Sequence, residues 1–441
     1  MIISKLPILN FRIVINLFLL LLPLSFIAGN LLINLNITII ILSSLFYWKK
    51  EFFKIKLFFI DKLLIILFLF SIFTGLVNYF NYSSYDIFLA KENVIKTISF
   101  LRYLLFYFSV RHIIEKNYFD FKTFFLSSSI CVLFVSLDLI FQLYNGSDIF
   151  GFPKENFRLS GPFGDEYIAG AYLQRFSLFL LFLIPFLKDK INIQSKIFLF
   201  LFLFLLIFFS IIIAGNRMPI ILFIISILIF FSLEKDLRKF LFLIIPLIFF
   251  GIFTIINFYP HIKDSLDHFL KLSLQILFSF NEIFQDTTLN SSKEYIKDSY
   301  FFESNMYLKE FNLGYLTWKE NMLIGGGINS FYLNCKINFD ICTSHPHNYY
   351  LEILSELGIV GFALIFLILI KLIHIFFKMQ NNSIIKISAN SITPFALLFF
   401  VEIFPLKTTG SFFTTGNASY IFLLIAVMVG LLNKLSYNKR L

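Results

Sequence analysis

Residues 197–214 read IFLFLFLFLLIFFSIIIA and residues 220–233 read IILFIISILIFFSL, with only Gly215-Asn216-Arg217-Met218-Pro219 between them. Apolar runs of this length span, or nearly span, a hydrocarbon core of about 30 Å. A soluble core has no need of two such runs back to back. A helix satisfies its own backbone in lipid, so the pair reads as two membrane helices joined by a tight turn. Similar runs recur at residues 12–29, 31–48, 60–80, 97–114, 122–144, 169–187, 239–257, 358–378, 387–405 and 418–433. The expected fold is therefore all-α, a polytopic transmembrane helical bundle of about 12 spans. Composition agrees: 58% of residues are hydrophobic and 15% charged, against about 25% charged in soluble domains. The 65 Phe residues accompany abundant Ile, Leu, Asn and Lys, a bias that fits an AT-rich genome.

The net charge of +10 sits mainly in short connections. Lys49, Lys50, Lys54 and Lys56 fall in one; Arg111, Lys116 and Lys122 in the next; the connections at 188–196, 234–239, 371–386 and 433–441 are basic as well. The positive-inside rule makes these cytoplasmic together with both termini. No basic tract interleaved with aromatics is present, so nucleic acid is not an expected partner. The first apolar stretch lacks a small-residue cleavage site and reads as a retained helix, not a signal peptide. The chain then divides into 1–145 (spans 1–5), 146–257 (spans 6–9 with an outer loop at 146–168), 258–357 (a large outer loop with short helices) and 358–441 (spans 10–12).

Within the large loop, residues 264–284 alternate apolar and charged side chains at helical spacing. That pattern suits a helix lying on the bilayer surface or one packed on the protein itself. Cys131 lies in a span and reads as packing. Cys335 and Cys342 both lie in the outer loop, where a disulfide persists, and a bridge between them is expected. Zinc held by this pair with His345 and His347 is a minor alternative.

Four segments place polar chemistry at the outer face, where charge beside a bilayer needs a reason. Arg217 is the only charge between Lys196 and Glu234. A guanidinium there grips a phosphate in bidentate fashion, or snorkels to headgroups. Arg158-Leu159-Ser160-Gly161-Pro162-Phe163-Gly164 combines a cation with flexible glycines, and Arg175 follows more deeply. Gly325-Gly326-Gly327 follows Trp318-Lys319-Glu320; such glycines present backbone N–H groups to an anion, although no P-loop Lys-Ser/Thr follows. In Ser344-His345-Pro346-His347-Asn348-Tyr349-Tyr350 a polar loop enters the tenth span, with Glu352 and Glu356 beyond it on one helix face. Histidine titrates near neutrality and suits general base work. No G-x-S-x-G marks a hydrolase. No Asp-x-Asp pair that would hold a divalent metal for a nucleotide-sugar transferase is present, so a transferase here is expected to use a lipid-linked diphosphate donor instead, and no cofactor is expected.

Taken in order, these segments resemble the O-antigen ligase and polymerase superfamily of bacterial envelope glycosyltransferases. The resemblance rests on Arg158–Gly170, on Gly215-Asn216-Arg217-Met218, on Trp318–Phe331, on His345–Gly361 above all, and on Phe404-Pro405-Leu406-Lys407-Thr408-Thr409-Gly410-Ser411-Phe412-Phe413. It covers about residues 150–430; the first five spans match by hydropathy alone. It implies an inverting, metal-independent transfer at the periplasmic face of the cytoplasmic membrane. A polyprenyl-diphosphate-linked glycan is the donor, and lipid A–core or another glycan is the acceptor. Carried over, Arg217 binds the diphosphate and His347 activates the acceptor, with Arg158, Arg175, His345, Asn348, Lys319 and Glu356 as substrate-binding candidates. One departure stands out. The family's further basic residue in the large loop is missing from Asn312-Leu313-Gly314-Tyr315-Leu316-Thr317, which leaves the second phosphate cation open among Lys309, Lys319 and Arg158. A transporter of lipid-linked oligosaccharides has a similar number of spans, but it often shows repeat symmetry, and no repeat is seen.

Overall fold

The computed structural model describes residues 6–84, 86–154, 158–183, 193–233, 306–338, 342–380, 386–408 and 410–438, with isolated positions between 245 and 253. These residues form an all-helical assembly with one isolated bridge, Ser147 to Pro153. In chain order the α-helices are α1 (Leu6–Ala28), α2 (Asn30–Trp48), α3 (Phe59–Tyr82), α4 (Ile87–Glu115), α5 (Phe121–Asn145), α6 (Ala169–Leu183), α7 (Ile193–Ile213) and α8 (Arg217–Leu233). They continue as α9 (Met306–Glu320), α10 (Phe331–Asn338), α11 (Tyr349–Gln380), α12 (Lys386–Glu402) and α13 (Thr415–Asn438). Helices α1, α2, α3, α5, α11 and α13 are long and apolar enough to cross a membrane; α6, α7, α8 and α12 are shorter apolar helices. The span expected at 239–257 lies almost entirely outside the described residues, as does the helix expected at 264–284.

The interior is mostly apolar with polar side chains among it, and the exterior is apolar as well. Phe46, Phe80, Phe88 and Phe198 stand on the outside, while Ser44, Ser128 and Ser210 lie inside. Each of these serines returns its hydroxyl to the carbonyl four residues back, at 2.8 to 2.9 Å. An apolar exterior over a partly polar interior is what a multi-pass membrane protein requires, since lipid offers no hydrogen-bond partner. Side-chain caps set several helix starts. Asp86 accepts the Phe88 and Leu89 N–H groups at 3.0 Å, and Asp120 does the same for α5. Gly146, at φ 80°, ends α5 in the left-handed conformation that favours glycine.

Arg111 does not lie in a cytoplasmic loop as the charge pattern suggests. Helix α4 continues past it, and its side chain is fully buried. It pairs with Asp61 of α3 at 2.5 Å and with Glu115 at 2.8 Å. Tyr107 donates to Asp61, and Asn433 of α13 donates to Glu115 at 2.7 Å. This network ties α3, α4 and α13 together at one end of the bundle. At the other end, α9 packs on α11, and α12 contacts α6, α8 and α13.

Candidate active site

The ends of α6, α8, α11 and α12 meet at one place. Asn216, just before α8, accepts the Gly170 N–H at 3.2 Å and donates to the Tyr167 carbonyl at 2.9 Å. The turn carrying Arg217 is thereby fastened to the start of α6. A Cβ on Gly170 would stand 2.7 Å from the Asn216 oxygen, so only glycine allows this approach. Met218 packs against Val401, with Phe404 alongside, which sets Arg217 beside the end of α12. Arg217 itself is half-buried.

Arg175, two turns into α6, grips Glu402 of α12 with two hydrogen bonds, at 3.0 and 2.6 Å, and donates to Asn417 at 2.6 Å. The same carboxylate oxygen accepts the Tyr349 hydroxyl at 2.8 Å and lies 2.7 Å from the Lys407 ammonium. One carboxylate thus serves two cations. Burial pulls the Lys407 ammonium down to about 8, with Arg175 adding to that shift and Glu402 opposing it. Asn348 caps α11, accepting the Tyr350 and Leu351 N–H groups, and donates to the Pro405 carbonyl at 2.8 Å. His347 therefore sits one residue from a side chain locked onto the α12–α13 connection.

His347 adopts φ 50°, a left-handed conformation uncommon for a residue with a side chain. Its Nε2 is 3.5 Å from a carboxylate oxygen of Glu310 on α9. Glu310 is 2% exposed, and neither of its carboxylate oxygens has a hydrogen bond among the described residues. Burial pushes its carboxyl up to about 7. The His345 ring lies 4.2 Å from that of His347, and its Nδ1 is 2.8 Å from the Ser344 hydroxyl. Burial, with His347 next to it, draws His345 down to about 4, so it is neutral at physiological pH.

Other candidates lie elsewhere or have other duties. Arg158 is exposed, and the Lys319 ammonium lies over the Tyr315 ring at 4.8 Å; neither forms an ion pair with the cluster. Glu356 is buried and accepts backbone N–H groups of Asn329 and Phe331, an anchoring contact for the glycine loop. That loop is not an anion nest. The Gly325 N–H donates to the Asn321 carbonyl, Gly326 to Ser355 and Gly327 to Glu356, at 2.7 to 2.9 Å, so all three donors are occupied. Cys335 and Cys342 form a disulfide with Cα atoms 5.8 Å apart, which removes both as zinc ligands.

Sequence reasoning passed over Glu310, Tyr349, Asn417 and Lys407 as site residues. Lys407 lies within a quoted motif, and a cation just past the end of an apolar span was its only signal. Glu310 gives none, because its relation to His347 exists only once α9 lies on α11.

Residues 202–366 match a family model described as O-antigen ligase. The match contains Arg217, Glu310 and His347, and it excludes Arg175, Glu402 and Lys407. No curated protein matches the chain.

Proposed function

We propose, from the match of residues 202–366 to the O-antigen ligase family model, that the chain belongs to that superfamily and transfers a glycan from a polyprenyl-diphosphate carrier to lipid A–core at the periplasmic face of the cytoplasmic membrane. The observation that carries the reading is the approach of the Arg217 turn, the His347 helix start and the end of α12 to one point. The acceptor hydroxyl oxygen attacks the anomeric carbon of the donor sugar. The carbon–oxygen bond to the diphosphate breaks, and the diphosphate leaves with the electron pair. Arg217 holds the negative charge that grows on it, an interaction stronger in the transition state than before it. His347 takes the acceptor proton, with Glu310 stabilising the imidazolium that forms. A single displacement of this kind inverts the anomeric configuration and calls on no metal.

The test is made in the native host with Arg217→Ala and His347→Ala. Each is expected to lower glycan transfer by at least about 10²-fold, the scale for removing a charge-stabilising group or a positioned base. Gel profiles of the surface polysaccharide supply the readout. Long glycan lost from lipid A–core but retained on the carrier indicates a ligase; a glycan of one repeat indicates a polymerase. Normal glycan in both variants sinks the assignment.

A further inference from the structure

The loop that follows α5 does not rise away from the helix. Its Ile149 N–H donates to Asp138 at 3.0 Å, and the Gln142 amide donates to the Phe152 carbonyl at 3.3 Å. Asp138 stands before the end of α5 by about two helical turns, on the order of 10 Å along the axis. The loop tip therefore folds back alongside its own helix. That tip is apolar: Ile149, Phe150 and Phe152 are exposed, Phe150 at 62%. It continues an exposed apolar stripe on α5, where Leu126, Ile130, Leu137, Phe141 and Tyr144 follow one another at helical spacing.

The backbone of the tip is closed on itself. Asp148 is buried, and one of its carboxylate oxygens accepts the Phe150 and Phe152 N–H groups at 3.0 and 2.7 Å. The Asp148 N–H donates to the Phe152 carbonyl, and the Gly151 N–H donates to the Asp148 carbonyl. With Ile149 on Asp138, every backbone N–H from Asp148 to Phe152 has an acceptor within the protein. Water would serve these donors on an exposed loop. Lipid would not, so irregular backbone beside hydrocarbon needs internal partners.

We propose that the 148–152 tip is immersed in the bilayer interface on the side where α5 ends, with lipid as its partner. Its exposed apolar side chains favour that boundary, and Tyr144 stands where an aromatic belt forms. Lys154 donates its N–H to the Gly146 carbonyl at 2.7 Å, which returns the chain to the level of the helix end. Its exposed side chain there suits headgroup phosphates. The immersion reaches the candidate site through packing. A Cβ on Gly164 would stand 3.4 Å from the Phe152 ring, so the tip lies against the segment leading into α6, where Asn216 fastens the Arg217 turn. Lipid contact thus sets the height of that segment at the membrane surface.

The test uses the full-length protein in lipid nanodiscs, with Cys131→Ala removing the free thiol and the Cys335–Cys342 bond left oxidised. An environment-sensitive NBD dye is attached through Phe150→Cys, through Ile149→Cys in a second variant, and through Lys154→Cys as the reference. Quenching is read with dissolved iodide and with phospholipid carrying a nitroxide on its upper acyl chain. The dye at 150 should emit at shorter wavelength than at 154. Iodide should quench it several-fold less, and the lipid nitroxide several-fold more. Equal iodide quenching at 150 and 154 overturns the proposal, because the tip is then in water. Weak quenching by both agents also overturns it, because the tip is then covered by protein, whether a second copy or another partner. Should Phe150→Cys not fold, the dye at 149 is read by the same criteria.

Discussion

At the scale of single residues, a buried carboxylate, Glu310, lies beside the ring of His347. Glu310 has its carboxyl raised to about 7 by burial. A group whose folded pKa lies above its unfolded value stabilises the fold fully below the unfolded pKa, and that contribution fades as pH rises through the folded one. The window here runs from about 4.3, the unperturbed value, to about 7. Glu310→Gln removes the ionisation, so its melting temperature relative to wild type should climb between about pH 5 and about pH 8. The same variant should turn over more slowly by at least about tenfold, a part of the roughly 10²–10⁴ that a positioned base contributes. A variant that melts higher at pH 8 yet works as fast as wild type would show that the carboxylate serves neither His347 nor the reaction. Arg217 and His347 were legible in the sequence as candidates because each sits in a short motif with an unusual composition. Glu310 and Lys407 were not, because their meaning depends on partners far away in the chain.

At the scale of elements, α11 is two helices joined at Gly358. That residue has φ 63° and ψ −170°, a region open essentially to glycine alone. A Cβ there would stand 2.3 Å from the Leu323 carbonyl oxygen, and the Ile359 and Val360 N–H groups donate to Met322 and Leu323. The 322–327 loop is thus inserted at the break, and Asn78 of α3 donates to Gly325 from outside at 2.9 Å. Gly358→Ala should cost at least about 2 kcal/mol from backbone strain and overlap together. Gly416, with open space around its would-be Cβ, should tolerate alanine or gain up to about 1 kcal/mol. Thermal melting of the two purified variants checks the contrast. Hydrophobic length made the spans readable, because lipid imposes it. It could not reveal the break, because Leu-Gly-Ile-Val-Gly is an ordinary string within a membrane helix and only the loop lodged against it decides its conformation.

At the scale of the whole molecule, the disulfide reports on sidedness. Cys335–Cys342 closes just ahead of His345, and such bonds persist outside the reducing cytoplasm. Thiol labelling of the unfolded, unreduced protein taken from cells should mark Cys131 alone, which is the free cysteine. Labelling of all three would place the 306–348 segment on the cytoplasmic side and reverse the proposed orientation. The expected direction rests on the basic connections, and Arg111 departs from that pattern: a positive charge near a helix end that serves the interior.

Arg175 is held by Asn417, 242 positions further along the chain. Asn417 lies in the first turn of α13, which follows both α6 and α12 along the chain. Until that helix arrives, Arg175 and Glu402 face each other without their third partner, and α4 lacks the helix it packs against most extensively. A chain cut before α13 is therefore expected to leave Arg175 with Glu402 alone and α4 without its main packing surface, so truncation at one terminus should be felt in helices at the other.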